Sequence, residues 1–251
     1  MVPEAPGVWP GGDVDDDRMS AHFHDRADAG RQLVAKLGKY HEAPGGLVVA
    51  LPRGGVPVAR EVARGLGLPL EILVVRKLGV PGNEEYAMGA IASGGIRILN
   101  AHAISLLRIG PETIDAVAFR EGRELERREK VFRQGRPARD VRGKTVVLVD
   151  DGVATGSTLR AAIQCLRRRG ARRIVAAIPT IAQDTLARLR SDADEWVVLI
   201  APPNFRSVGE WYASFPQVAD AEVAGILAQE TANPEDPARG MVSPDGAARM
   251  P

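Results

Sequence analysis

The chain reads as an α/β protein, an open parallel sheet of about five strands flanked by helices, and three observations predict it. Five short apolar runs, Leu47–Leu51, Ile72–Val75, Thr145–Val149, Ile174–Ile178 and Trp196–Ile200, have the continuous hydrophobicity of strands buried on both faces. Most are followed by stretches with apolar residues at three- and four-residue spacing, Val56–Arg64, Thr158–Arg169 and Gln183–Arg190. Finally, 251 residues, 45% hydrophobic and 26% charged, are enough for one such domain, whose core must be Val, Ile, Leu and Ala because only 4% are aromatic.

At the ends, residues 1–18 are rich in Pro, Gly and Asp and residues 231–251 are poor in large apolar groups, so both are expected to be disordered tails around a domain at 19–230. No basic region precedes an apolar run, and no segment approaches ~18 apolar residues, so neither a signal peptide nor a membrane span is expected. Cys165 is the only cysteine, which excludes an intrachain disulfide framework and suits a reducing, cytoplasmic setting. A net charge of +1 gives no global field toward nucleic acid or anionic lipid.

The first strand, Leu47–Leu51, runs into a Gly-rich connection, LPRGG at 51–55, and then a helix from Val56. The second, Ile72–Val75, is followed by RKLGVPGNEEYAMGAI at 76–91. Segment 111–144 differs. Pro111 suits a helix start, and Arg120–Lys144 holds ten basic and five acidic residues, which reads as a solvated helix with ion pairs such as Glu124 to Arg128 and Glu126 to Lys130, or as an anion-attracting flank of a site. In the helix after the third strand, Leu159, Ile163 and Leu166 share one face, while Arg160, Arg167 and Arg168 can reach water.

Chemistry concentrates in VVLVDDGVATGST at 146–158. A buried strand ends in two adjacent carboxylates, Asp150 and Asp151, and a loop of Gly and hydroxyl residues then opens a helix. Such a turn offers backbone N–H groups and hydroxyls where a phosphate binds well. The Lys of a nucleotide-binding P-loop is missing, and Gly152 to Gly156 is one residue too short for one. Gly65-Leu66-Gly67 is not a dinucleotide fingerprint, since Pro69 stands where a helix should open. Two acids just before a phosphate cradle suit a ligand with vicinal hydroxyls one sugar away from its phosphate, as in ribose 5-phosphate.

Here the sequence resembles the type I phosphoribosyltransferases, whose signature for 5-phosphoribosyl 1-diphosphate (PRPP) is an apolar strand, two acidic residues and a T-G-x-T-like loop. Asp150, Asp151, Thr155, Gly156 and Thr158 occupy the matching positions, with Ala154 and Ser157 between and beside them. Arg53, Gly54 and Gly55 resemble the family's pyrophosphate loop, and Arg76 and Lys77 its basic pair before a mobile loop that closes over substrate. In an uncharacterised bacterial subfamily that loop commonly has Pro where Glu84 stands, while Phe205, Val208, Gly209, Trp211, Tyr212 and Phe215 match the subfamily. The likeness spans about residues 23–228.

The resemblance implies a variable hood over the acceptor, built from residues 20–40, 100–140 or 205–215. It implies a Mg²⁺-dependent transfer of the phosphoribosyl group from PRPP to a nucleobase-like nitrogen acceptor, with release of diphosphate and a place in nucleotide metabolism. Asp150, Asp151, Arg76 and Lys77 would be catalytic. Arg53, Gly54, Gly55, Ala154, Thr155, Gly156, Ser157 and Thr158 would bind PRPP. No dedicated metal cage is expected, with Mg²⁺ arriving on the substrate and touching at most Asp150 and Asp151.

Hypoxanthine-guanine enzymes of the family have Asp where Ala154 stands, which disfavours a 6-oxopurine. Trp211, Tyr212 and Phe215 either stack on a flat base or pack the hood, and Glu84 and Glu85 are the candidate general bases. Many relatives are dimers, so a homodimer is the implied assembly. The rival function is a non-catalytic PRPP sensor that binds RNA or a protein partner through Arg120–Lys144, disfavoured by the neutral overall charge. Cys165 reads as a small helix residue rather than a nucleophile, since no positioned base is evident.

Overall fold

The structure, a computed structural model, describes residues 22–231. The expected tails at 1–18 and 231–251 lie outside the described residues, apart from Thr231, which ends the last helix.

Five strands form the parallel sheet: β1 (Gly46–Ala50), β2 (Leu70–Ile72), β6 (Thr145–Val149), β7 (Arg173–Thr180) and β8 (Glu195–Ile200), in the order β2-β1-β6-β7-β8. The remaining strands, β3 (Val75–Val80), β4 (Asn83–Ala92) and β5 (Ile96–Leu99), make a second, antiparallel sheet. Helices α1 (Arg26–Lys36), α2 (Gly55–Leu66), α3 (Ala101–Leu106), α4 (Pro111–Arg133), α5 (Ser157–Arg168), α6 (Gln183–Leu189) and α7 (Asp220–Thr231) complete the described chain. None is long and apolar enough to cross a membrane.

Alternate residues of the parallel strands point into two cores. Val48, Val147 and Val175 meet one face with Leu33 of α1, Val62 of α2, Phe132 of α4 and Val223 of α7. Leu47, Val146, Leu148 and Ile174 meet the other with Leu159, Ile163 and Leu166 of α5 and Leu189 of α6. Strands covered on both sides read as unbroken apolar runs, which is why four of the five are visible directly in the sequence.

The helix crossovers α2 and α5 therefore leave β1 and β6 on opposite faces, and the strand order reverses between these two neighbours. That reversal opens the crevice in which doubly wound sheets bind ligands, beyond the C-terminal strand ends. Ala50 pairs with Val149, and Leu51 N–H donates to the Val149 carbonyl at 2.9 Å, so the loops after β1 and β6 emerge side by side.

One expectation is corrected. The run Ile72–Val75 is not one strand. The chain leaves the parallel sheet after Ile72, with Leu73 N–H still on the Ala50 carbonyl, and Val75 already pairs with Ala92 in the second sheet. Apolar continuity cannot reveal this change of partner, because Leu73 and Val74 are buried throughout. The segment 76–91, read as a basic pair followed by a mobile loop, lies within a β-hairpin. Val80 faces Asn83 across a turn of Pro81 and Gly82, and Gly82 takes a φ of 80° that a type II turn needs at that place.

Helix ends follow local chemistry. The Asp25 carboxylate accepts the Asp28 N–H at 2.8 Å to open α1, and Pro111 opens α4. On α4, Glu124 pairs with Arg127 and Arg128 as a solvated helix would, whereas Glu126 is exposed and does not pair with Lys130.

Candidate active site

The acid pair and the glycine loop are built against each other. Asp150 and Asp151 follow the last residue of β6, and Gly54 and Gly55 lie directly beside them. A Cβ on Gly55 would stand 2.9 Å from Cα of Asp150, and one on Gly54 would stand 2.5 Å from Cγ of Asp151. No side chain fits at either place, so glycine at 54 and 55 lets the first loop close over the carboxylates. The Pro52–Arg53 peptide bond is cis.

Asp150 accepts the Asp151 N–H at 2.9 Å through Oδ1. Burial, and after it the charge of Asp151, pushes the Asp150 carboxyl well above the usual range. Burial also raises Asp151, opposed by the Arg26 guanidinium, whose Nε donates to Oδ2 at 2.8 Å. The Asp151 carbonyl accepts the Tyr212 hydroxyl at 2.6 Å. Two buried carboxyl groups are thus held side by side, with the Arg26 guanidinium on the second of them.

Beyond the acids the chain turns through Gly152 to Gly156. Thr185 donates its hydroxyl to the Ala154 carbonyl at 2.6 Å and fixes the loop to α6. Gly156 has a φ of 79°, and a Cβ there would stand 2.6 Å from Leu189 Cδ1 and 2.7 Å from Thr185 Cγ2. Only glycine combines that backbone with that contact. Helix α5 then begins at Ser157 with no side chain capping it. Ala154, Thr155 and Ser157 are exposed, so the first amides of α5 and these hydroxyls face outward.

The basic pair sits on β3. Arg76 directs Nε and Nη2 to one oxygen of Glu121 on α4, at 3.0 and 2.5 Å. Arg76, Lys77, Arg120, Glu121 and Thr158 line one cavity of about 330 Å³, which brings the basic pair to the start of α5. Lys77 and Ser157 also line a second cavity of about 410 Å³ under the hairpin. Arg53 turns elsewhere and pairs with Asp220 of α7 at 3.4 Å.

Three participants are absent from the motifs: Arg26, Tyr212 through its hydroxyl, and Glu121. Arg26 and Asp151 are 125 residues apart, and no local pattern announces such a pair. Glu121 is one acid among five in a basic segment and is marked only by its contact. Of the three regions that could form a hood, the described part of 20–40 joins 205–215: Phe23 bridges to Tyr212, and Phe23, Ala29, Trp211 and Tyr212 form one buried cluster. Trp211 and Tyr212 are each 5% exposed, packed within this cluster. The side chains of Glu84 and Glu85 lie outside the described residues. Cys165 is buried, and burial pushes its thiol up to about 11, as for a core residue.

The family profile described as the phosphoribosyl transferase domain matches residues 23–210. A Mycobacterium tuberculosis protein, provisionally named a phosphoribosyl transferase, is 45% identical over 205 residues, covering 82% of this chain and 46% of that protein. The chain thus spans about half the length of the curated relatives it matches. A ribose-phosphate pyrophosphokinase of Xanthomonas campestris is 38% identical over 93 residues, 36% of this chain and 28% of that one. The crystal structure of TT1426 from Thermus thermophilus superposes with a TM-score of 0.75 at 40% identity, covering 83% of this chain and 98% of that one. The fold agrees with these likenesses, and the chain belongs to the phosphoribosyltransferase family.

Proposed function

We propose that the chain transfers the 5-phosphoribosyl group of PRPP to a nucleobase-like nitrogen acceptor and releases diphosphate. The observation that carries this reading is the meeting of the glycine loop with the acid pair at the strand-order reversal, one turn of chain before an uncapped helix start. The 5-phosphate would lie on the amides and hydroxyls of Ala154, Thr155, Gly156, Ser157 and Thr158. Asp150 and Asp151 would take the ribose hydroxyls. The diphosphate would then reach the Gly54–Gly55 amides and the cations Arg53, Arg76 and Lys77.

Positioning and charge stabilisation account for the chemistry. The bond from the anomeric carbon to the diphosphate oxygen breaks as the acceptor nitrogen bonds to that carbon from the opposite side, its proton leaving with the diphosphate. Positive charge grows on the ribose ring, where the carboxylates lie nearest, while Arg76 and Lys77 hold the negative charge that leaves with the diphosphate. An apolar hood cluster over the acid pair would keep water from competing with the acceptor.

The residues fit a Mg²⁺ ion carried largely by the substrate. No group of three or more His, Cys, Asp or Glu able to hold a metal exists among the described residues. Asp150 and Asp151 offer two adjacent carboxylates that would hold such an ion, directly or through water. When bound, the ion would neutralise charge on the diphosphate and make it a better leaving group.

Ala154 offers no side-chain acceptor to a base, in keeping with an acceptor other than a 6-oxopurine. A regulatory role through RNA is less well supported. Part of the basic segment is paired within the fold: Arg127 and Arg128 on Glu124, Arg133 on Glu71, and Arg120 on Glu121.

The test is incubation of the full chain with PRPP, Mg²⁺ and a panel of nitrogenous bases, with identification of the ribosylated product. Diphosphate release that depends on one base supports the reading. PRPP binding without turnover on any base counts against it.

A further inference from the structure

Arg26 belongs to none of the phosphate-handling motifs, yet its guanidinium is held on three sides at the edge of the site. Nε donates to Asp151 Oδ2 at 2.8 Å, Nη1 donates to the Pro216 carbonyl at 2.7 Å, and Cζ lies 3.7 Å over the centre of the Phe215 ring. The Arg26 and Asp151 side chains are 10% and 14% exposed. Tyr212, in tilted contact with Phe215, holds the carbonyl of the same aspartate. The segments that carry these groups are joined by backbone bonds, Phe23 N–H to the Trp211 carbonyl and Ala213 N–H to the Phe23 carbonyl.

These hood contacts to the acid pair therefore converge on Asp151, and the oxygen bound by Arg26 is also the one nearest to Gly54. This arrangement leaves Oδ1 as the carboxylate oxygen that Arg26 does not engage, and it fixes the plane of the carboxylate between the hood and the glycine loop. A buried ion pair contributes little net stability compared with apolar packing, so stability alone does not explain a cation anchored in three ways beside a reactive carboxylate. A planar guanidinium with several fixed donors is the group suited to setting an orientation.

We infer that Arg26 is a positioning residue that orients Asp151 toward the ribose hydroxyls of PRPP and makes the hood part of the sugar-phosphate site. The inference rests on the phosphoribosyl-transfer reading above. Substrate held by Asp151 is then felt by α1 and by the 205–216 segment through one side chain.

A double-mutant cycle on PRPP binding tests it. The full-length wild type, Arg26→Gln, Asp151→Asn and the double variant are titrated with PRPP and Mg²⁺ by calorimetry, well below their unfolding temperatures. A residue that acts through Asp151 gives a strongly non-additive cycle. Arg26→Gln should weaken PRPP binding about tenfold, the scale of one hydrogen bond to a charged group, and should add nothing once Asp151 is Asn. Wild-type affinity in Arg26→Gln, or a loss of the same size in both backgrounds, overturns the inference and leaves the function reading standing. If Arg26→Gln does not fold, Arg26→Lys is put through the same cycle and judged by the same non-additivity. A wild-type chain that binds no PRPP overturns the inference together with the reading beneath it.

Discussion

The Gly54 Cα lies so close to the Asp151 carboxylate that a Cβ at position 54 would stand 2.5 Å from Cγ and closer still to Oδ2. The first loop and the acid pair are therefore one mechanical unit. Gly54→Ala must move either the loop or the carboxylate, at a cost of about 1–3 kcal/mol of stability as for other overpacked sites. Chemical denaturation should register that loss, and PRPP binding should fall at least tenfold, because the displaced group is the one assigned to the sugar.

At Gly156, an αL backbone meets a closed space against Leu189 and Thr185. Gly156→Ala is expected to cost about 1–3 kcal/mol, since backbone strain and contact act together. A shift in the denaturation midpoint accompanied by weaker PRPP binding is the expected result. Unchanged PRPP affinity in a destabilised variant would remove the 5-phosphate from this loop.

Glu195, at the start of β8, ties the far end of the sheet to the turn that follows α1. Burial alone would raise its carboxyl, but hydrogen bonds from Lys39, Tyr40 and Arg173 outweigh burial and bring it down to about 2 from an ordinary 4.5. A carboxylate depressed in the folded state contributes stability that is complete above its unfolded value. That contribution is lost as pH falls from about 4.5 toward 2. Urea titrations at pH 6 and pH 3 should show Glu195→Gln losing about 1 kcal/mol less than the wild type over this range, the small size reflecting partial contact with water.

Cys165, buried on α5 with its thiol raised to about 11, should be inert in the folded protein. A thiol reagent at pH 8 should label it only on unfolding. Cys165→Ala should leave PRPP binding at the wild-type value, whereas lost binding would place the thiol in the site.

What could be read in the chain, and what could not, divides along a physical line. Thr145–Val149 and its loop through Thr158 were legible because strand, acids, glycine and helix start are consecutive, and each residue's role depends on near neighbours. Likewise, Val56–Arg64 and Gln183–Arg190 carry helical periodicity in full. The hairpin at Val75–Ala92 was hidden, since β3 is partly exposed, and the buried Leu73–Val74 step joins two sheets without a break in hydrophobicity. Arg26 and Glu121 were invisible for a different reason. Their meaning lies wholly in partners that the fold brings in from 125 and 45 residues away, and neither type nor spacing encodes those encounters.

The central claim is that PRPP sits between the glycine loop, the acid pair and the start of α5. Titration calorimetry of the full chain with PRPP and Mg²⁺, repeated on a variant carrying Asp150→Asn and Asp151→Asn together, tests it most directly. The prediction is saturable binding at one site per chain, weakened at least tenfold in the variant while its unfolding transition stays cooperative. Absence of wild-type binding, or equal affinity in the two proteins, would contradict the account.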